Sequence, residues 1–392
     1  MTGNVVSISN SEPYQIPLCD PDLAEEDLAA VDTVLRGQKL SDGSLVPQLE
    51  QAFAAYTGRS QAIAVSNASL GLLLALVARG IGPGDEVILA AHGFRELGHA
   101  VHCVGATPVF ADIDYWFGTL QPEKVEEKIT AATRAIIASN TAGQPADWPA
   151  LRAVAEAHDL FLVEDSSEAI GSRHKKGIVG SFGDVAIFDL SQPGVICCGE
   201  GGIVVTDDMD LAMSIRRQRS RSLSERSSVS ATTAAPLGAA MGEVTAALAI
   251  SQLSRIDYLL ERRRMIQAMY DGFIQSFEGI KPPYAASCVE ELHWFLYVVH
   301  LGTRFSRSSR DAIVEDLHTE GIEACAYSSP LHLQRTYREM GWHKGDLFVT
   351  EKVADRAIAL PFHAHLTPEQ VAFIVARLKD SSINAGAGAA IY

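Results

Sequence analysis

No apolar run in this chain reaches the roughly 18 residues that a membrane-spanning helix needs. Positive charge is scarce: 32 Lys and Arg stand against 48 Asp and Glu, a formal net charge of −16. That balance argues against nonspecific attachment to nucleic acid or an anionic membrane, though it leaves room for a local basic pocket. Cysteine is sparse and scattered. Cys19, Cys103, Cys197, Cys198, Cys288 and Cys325 show no C-x-x-C spacing and read as reduced thiols. The opening residues Met1–Ser7 lack a basic stretch followed by an apolar one, so no secretory signal is read there and a cytoplasmic location is expected. What is plentiful is apolar: 47% of the 392 residues are hydrophobic and 20% charged. Such a chain buries a large core and has length for a second lobe.

Short apolar runs alternate with helical patterns along the first two hundred residues. Strands are expected at Gln61–Ser66, Glu86–Ala90, Pro108–Asp112, Arg134–Ser139, Phe161–Asp165, Asp184–Asp189 and Gly202–Thr206. Several are apolar on successive residues, which suits strands covered on both faces, as in a mainly parallel sheet. Helices are expected at Ser69–Arg79, Pro149–His158 and Asp208–Arg219, with a long one from Glu243 to Phe277. Strand–helix alternation of this kind predicts an α/β fold. Later the pattern becomes α+β: a strand over Trp294–Leu301, and helices at Ser309–Glu320, Phe348–Ile358 and Pro368–Lys379. The boundaries read as a tail over 1–15, a large domain over 16–255, a small C-terminal domain over 256–380, and a flexible Gly/Ala-rich tail over 381–392.

An ordered set of motifs runs from about residue 15 to 380. It includes Gly80-Ile81-Gly82-Pro83-Gly84-Asp85-Glu86-Val87-Ile88, Gly105-Ala106-Thr107-Pro108, Gly143-Gln144-Pro145-Ala146-Asp147, Val163-Glu164-Asp165, Gly180-Ser181-Phe182-Gly183-Asp184, Gly199-Glu200-Gly201-Gly202 and Pro330-Leu331-His332-Leu333. On these the chain resembles the DegT/DnrJ/EryC1/StrS sugar aminotransferases. That family has the fold type I PLP-transferase architecture, with a seven-stranded sheet and a smaller C-terminal domain. The resemblance implies a pyridoxal phosphate (PLP) site at the carboxyl ends of the strands and a homodimer. Asp165 takes the position of the carboxylate under the pyridine nitrogen, Phe94 that of the aromatic stacked on the ring, and Ala68-Ser69 that of the phosphate-binding helix start.

Departures from the resembled pattern cluster in one place. Gly194 stands at the position of the lysine that holds PLP as a Schiff base. Phe188 to Gly199 contains no lysine at all. Asp189 replaces a serine that bonds the phosphate, Glu168 a glutamine, and Gly238-Ala239-Ala240-Met241 an Asn-Tyr-Arg-Met stretch. The expectation drawn from this is that no cofactor is bound, or that PLP sits there without a covalent lysine link.

Candidate catalytic groups are then Asp165, Glu168, Asp189 and His92. Carboxylates sharing a pocket push one pKa upward, which gives a general acid beside a general base. A cation on the same oxygens is an alternative, although no metal site is assigned. Cys197-Cys198 reads either as two small core residues or as a replacement nucleophile. His332, Arg219 and Arg221 are candidate substrate contacts, the arginines suiting a diphosphate. Three functions stay open. One is PLP-independent acid/base chemistry on a natural-product or sugar-nucleotide intermediate. Another is a non-catalytic partner of a true aminotransferase. The third is a PLP-dependent aminotransferase with an atypical site.

Overall fold

The computed structural model describes residues 14–94, 96–220, 236–274 and 279–389, with side chains described through 385. Nine strands form in the first part of the chain: β1 Gln61–Val65, β2 Glu86–Ala90, β3 Thr107–Ala111, β4 Thr133–Ser139, β5 Phe161–Asp165, β6 Arg173–His174, β7 Gly177–Ile178, β8 Val185–Asp189 and β9 Gly202–Thr206. Seven of them make one sheet in the order β1-β9-β8-β5-β4-β2-β3. Neighbours are parallel except that β9 runs against both β1 and β8. Successive residues of β5 are buried on both faces, as the unbroken apolar run predicts. Ile63, Val87, Ile137, Val163 and Ile187 face one core. Ile88, Ile136 and Leu162 face another, with Trp148 and Leu151. The chain is an α/β protein with a mainly parallel seven-stranded sheet, as expected.

Helices cover both faces, beginning with α1 Glu25–Leu35, α2 Leu45–Thr57 and α3 Ala68–Ala78. The start of α3 is fixed by Asn67, whose side chain accepts the Leu70 N–H at 2.9 Å, the usual way to satisfy an orphan donor in the first turn. Two glycines let α3 lie close to the sheet. A Cβ on Gly71 would come within 2.8 Å of Val204, and one on Gly202 within 2.5 Å of the Ala68 nitrogen. The carboxyl ends of β1, β2, β4, β5 and β8 therefore share one edge with the amino end of α3, and every candidate carboxylate lies along that edge.

Beyond residue 255, strands β10 Ile280–Lys281, β11 Val289–Glu291, β12 Tyr297–Leu301, β13 Cys325–Ala326 and β14 Ala357–Leu360 follow. Four of them form an antiparallel sheet, β10-β12-β14-β13, packed on helices 256–274, 307–319 and 368–389 around Tyr270, Tyr297 and Phe362.

Three expectations are corrected. The long helix from Glu243 is two helices, Glu243–Ser254 and Ile256–Ile274, parted at Arg255, whose guanidinium reaches Asp27 at 2.6 Å. The helix from Phe348 stops at Ala354, and Ala357–Leu360 is a fully buried strand instead; pairing with β12 and β13 outweighs local propensity. Of the tail expected to be flexible over 381–392, residues 381–389 are helical instead. One helix runs Pro368–Ala389, with Ser381 and Ser382 buried, because alanine favours helix and the serines pack inward. Residues 390–392 lie outside the described residues. Among the described residues no helix is long and apolar enough to cross a membrane.

Candidate functional site

Asp165 ends β5 with 1% of its surface exposed. Its carboxylate accepts the Ser139 hydroxyl at 2.9 Å and the Ser167 N–H at 3.1 Å. Burial pushes its pKa up, against the pull of these bonds and with help from the charge of Asp189. Ser167 ties the two acids together, since its hydroxyl also accepts the Asp189 N–H at 3.1 Å. Glu168 lies one turn further on. It accepts the Ala142 N–H and the Tyr327 hydroxyl, each at 2.6 Å. Burial of this carboxylate outweighs both bonds and holds its pKa at about 7. Ala142 adopts φ 54, a left-handed conformation that alanine seldom takes. It is held there by its N–H on Glu168 and by its carbonyl, which accepts the Phe295 N–H at 3.1 Å.

Neighbouring Glu164 is a carboxylate of a different kind. It accepts from Asn140, Ser166, Gly180, Phe182 and Gly183 at 2.6–3.2 Å. Three of these bonds fix the loop after β7, and the other two hold Asn140 and Ser166. The structure therefore brings Asp165, Glu168 and Asp189 to one edge. Among the described residues no group of three or more His, Cys, Asp or Glu is arranged to hold a metal ion.

The residues can be tested against a PLP-sized group. The ring half fits: Asp165 offers a buried carboxylate to a pyridinium, with Ser139 and Ser167 fixing its direction. The phosphate half does not fit as arranged. Asp189 turns its own carboxylate onto the backbone N–H of Ala68, the first residue of α3, and onto Ser191. An anion site at a helix start is thus filled by a side chain of the protein. Burial raises the Asp189 pKa, and Glu96 adds to the rise. Position 194 does not fit a long side chain either. A Cβ on Gly194 would stand 2.9 Å from the Ile196 carbonyl oxygen and 3.0 Å from that of Ser191. Ser69 lies in the first turn of α3, and Phe94 packs half-buried against the core between α3 and the helix Glu96–Cys103.

Other expected site residues fall elsewhere. His92 is not at a cleft mouth. It is 3% exposed, its ring meets Tyr327 edge-on at 5.5 Å, and burial pulls its pKa down to about 3. It is a neutral imidazole and not an acid near neutral pH. His332 is fully buried, with Nε2 3.0 Å from Glu351, and presents no surface to a substrate. Arg219 donates through Nη1 to Glu50 of α2 at 2.6 Å and to the Ala64 carbonyl of β1 at 2.8 Å, which turns its guanidinium onto the protein's own α2 and β1. Arg221 lies outside the described residues. Cys197 and Cys198 are both 6% exposed. Burial raises both thiols, Cys198 to about 12, which excludes a ready thiolate. Reading the sequence missed Tyr327, Ser139 and Ser167. Only the two serines had a local cue, each lying within two residues of a strand end that faces the site.

Comparison with known proteins supplies the rest. The DegT/DnrJ/EryC1/StrS aminotransferase family model matches residues 21–379. The spore coat polysaccharide biosynthesis protein SpsC of Bacillus subtilis (strain 168) is 31% identical over 379 residues, covering 94% of this chain and 96% of that protein. The aminotransferase TlmJ of Streptoalloteichus hindustanus superposes with a TM-score of 0.87 at 28% identity, over 94% of this chain and 99% of that one. Spr1654 of Streptococcus pneumoniae, solved in a PLP form, gives a TM-score of 0.87 at 26% identity, over 95% of this chain and 100% of that one. Its PMP form gives 0.86. These findings correct the expectation of an abandoned cofactor: Spr1654, a relative with this fold, is solved with PLP and with PMP, which points to PLP. They lend no support to PLP-independent chemistry. By sequence, over nearly its whole length, the chain belongs to the DegT/DnrJ/EryC1/StrS aminotransferase family.

Proposed function

We propose that this chain is a biosynthetic enzyme acting on a small sugar or natural-product substrate at the carboxyl edge of its main sheet, with a PLP-type cofactor held by noncovalent contacts alone. The observation that carries the reading is the Glu168–Tyr327 pair beside Asp165: a carboxyl poised at about 7 and steadied by a phenol. A general acid/base works best when its pKa lies near the working pH. Glu168 takes up a proton at its carboxylate and returns it, while the Tyr327 hydroxyl donates to Oε2 and keeps the group aimed. Asp165, enclosed by Ser139 and Ser167, is the carboxylate that would hold the ring nitrogen of such a group. A bound PLP-type ring supplies an electron sink. Gly194 offers no amine for a covalent bond, and its backbone leaves no room for one.

We also take the working form to be a homodimer. Leu28 and Leu35, seven residues apart on one side of α1, are 55% and 59% exposed. The test is equilibrium dialysis of the purified chain with PMP and with PLP, followed by borohydride treatment and mass analysis. Reversible PMP binding with no added mass after borohydride is expected. A borohydride-trapped PLP adduct on any lysine overturns the noncovalent reading, and failure to retain either compound overturns the cofactor assignment.

A further inference from the structure

A cavity whose walls include none of Asp165, Glu168 and Asp189 lies on the other side of Tyr327. It opens between the 113–119 loop, which follows β3, and the edge of the small sheet at β10 and β12. The outer part measures about 520 Å³, within the size range of small-molecule pockets. Tyr115, Trp116, Phe117, Tyr284, Pro283 and His300 line it. A narrow inner part of about 30 Å³ shares Trp116, Phe117, Pro283, Tyr284 and His300, and continues to His92 and Tyr327. The cavity therefore runs from the surface to the back of the tyrosine whose hydroxyl holds Glu168.

Its walls are aromatic. Phe117 and Tyr284 stack with centroids 6.1 Å apart. The Lys281 ammonium stands 4.8 Å above the Trp116 ring at the mouth. Among the described residues neither part is lined by Asp or Glu, in a chain whose formal charge is −16. Two histidines face inward and both are neutral: His300 is lowered to about 4 by burial and by Lys281, and His92 to about 3 by burial and by His300. His92 closes the inner end: its Nε2 lies beside Gly118, a residue of the same wall, while its Nδ1 is fully buried and has no hydrogen-bond partner among the described residues. An unsatisfied buried polar atom is costly and in native proteins commonly has a partner.

We propose that this cavity is a binding site for a small aromatic carboxylate. The ring lies between Trp116, Phe117 and Tyr284, the carboxylate meets Lys281, and a polar tip reaches His92. The assignment does not rest on the cofactor reading, since none of Asp165, Glu168 and Asp189 lines this cavity. Its occupant follows from three features: flat aromatic walls that suit a planar ring, Lys281 as the one cation on the rim among the described residues, and the neutral His92 imidazole at the base.

The test uses 2-naphthoate and the uncharged 2-naphthalenemethanol, titrated into the full chain while quenching of tryptophan fluorescence is followed. Saturable naphthoate binding is expected, with Trp116→Phe removing most of the quenching. Lys281→Ala should weaken naphthoate at least tenfold and leave the alcohol unchanged, and Tyr284→Ala should weaken both. Both positions are exposed, so neither variant threatens the core. Absence of saturation overturns the proposal. So does equal affinity of the wild type for acid and alcohol, or binding that neither the Lys281→Ala nor the Tyr284→Ala variant alters.

Discussion

Two side chains set the chemistry of the edge, and each makes a prediction. Asp189 holds the amide that a phosphate would seek. A carboxylate about 4 Å from a phosphate charge costs roughly 4 kcal/mol at an effective dielectric near 20, or about a thousandfold in affinity. Asp189→Ser should therefore tighten PMP binding, by up to about that factor, and leave pyridoxamine without phosphate little changed; equilibrium dialysis reads both. In the wild-type chain the raised Asp189 pKa fixes the sign: PMP binds more tightly as pH falls and this carboxylate takes up its proton. Glu168 makes the second prediction. Its pKa of about 7 is kept from going higher by the Tyr327 hydroxyl, which favours the charged form. Tyr327→Phe should move the Glu168 titration to higher pH, followed by carboxyl ¹³C NMR against a Glu168→Gln control. A titration that stays in place sinks the assigned pairing. Asp165 and Glu168 were legible in the sequence because both sit in one short stretch that closes a strand. Tyr327 was not, because it is 159 residues away from Glu168 and meets it only through packing of the two lobes. His92 and His332 misled for the opposite reason: each lies near the site in sequence, yet the fold turns its ring inward.

At the scale of elements, the strand–helix alternation wrote the main sheet almost residue for residue, because strands buried on both faces are apolar without interruption. The C-terminal lobe was harder. Ala357–Leu360 is apolar and short, and nothing local separates such a strand from the end of a helix. Only its pairing with β12 does so. The turn between β8 and β9 shows a limit of another sort. The sequence marks Gly194 as a missing lysine, whereas the structure marks it as a close backbone approach. Restoring the lysine is therefore not a simple repair. Gly194→Lys should lower the thermal midpoint by several degrees, since its Cβ meets two carbonyl oxygens at 2.9 and 3.0 Å and overpacking of this kind typically costs about 1–3 kcal/mol. It should also fail to bind PLP covalently on its own. A stable variant trapped by borohydride would mean that the turn yields easily.

For the whole molecule, the proposed homodimer has to form between two chains that each carry −16. Helix α1 turns Asp27 and Val34 inward, and Asp27 is tied to Arg255 at the helix junction. This rigid anchoring leaves Leu28 and Leu35, the next residue around the helix in each case, facing out at 55% and 59% exposure. A scattered exposed leucine is ordinary, but a matched pair two turns apart on an anchored helix gives a ridge that two copies can bury across a twofold axis. The proposed dimer should have twice the 42.1 kDa of one chain by light scattering. Leu28→Glu with Leu35→Glu should convert it to the monomer without loss of helical circular dichroism. Like net charges oppose pairing, and salt screens them, so dissociation should be favoured by low ionic strength and reversed by added salt. A wild-type monomer at all concentrations, or a double variant that stays dimeric, removes α1 from the interface.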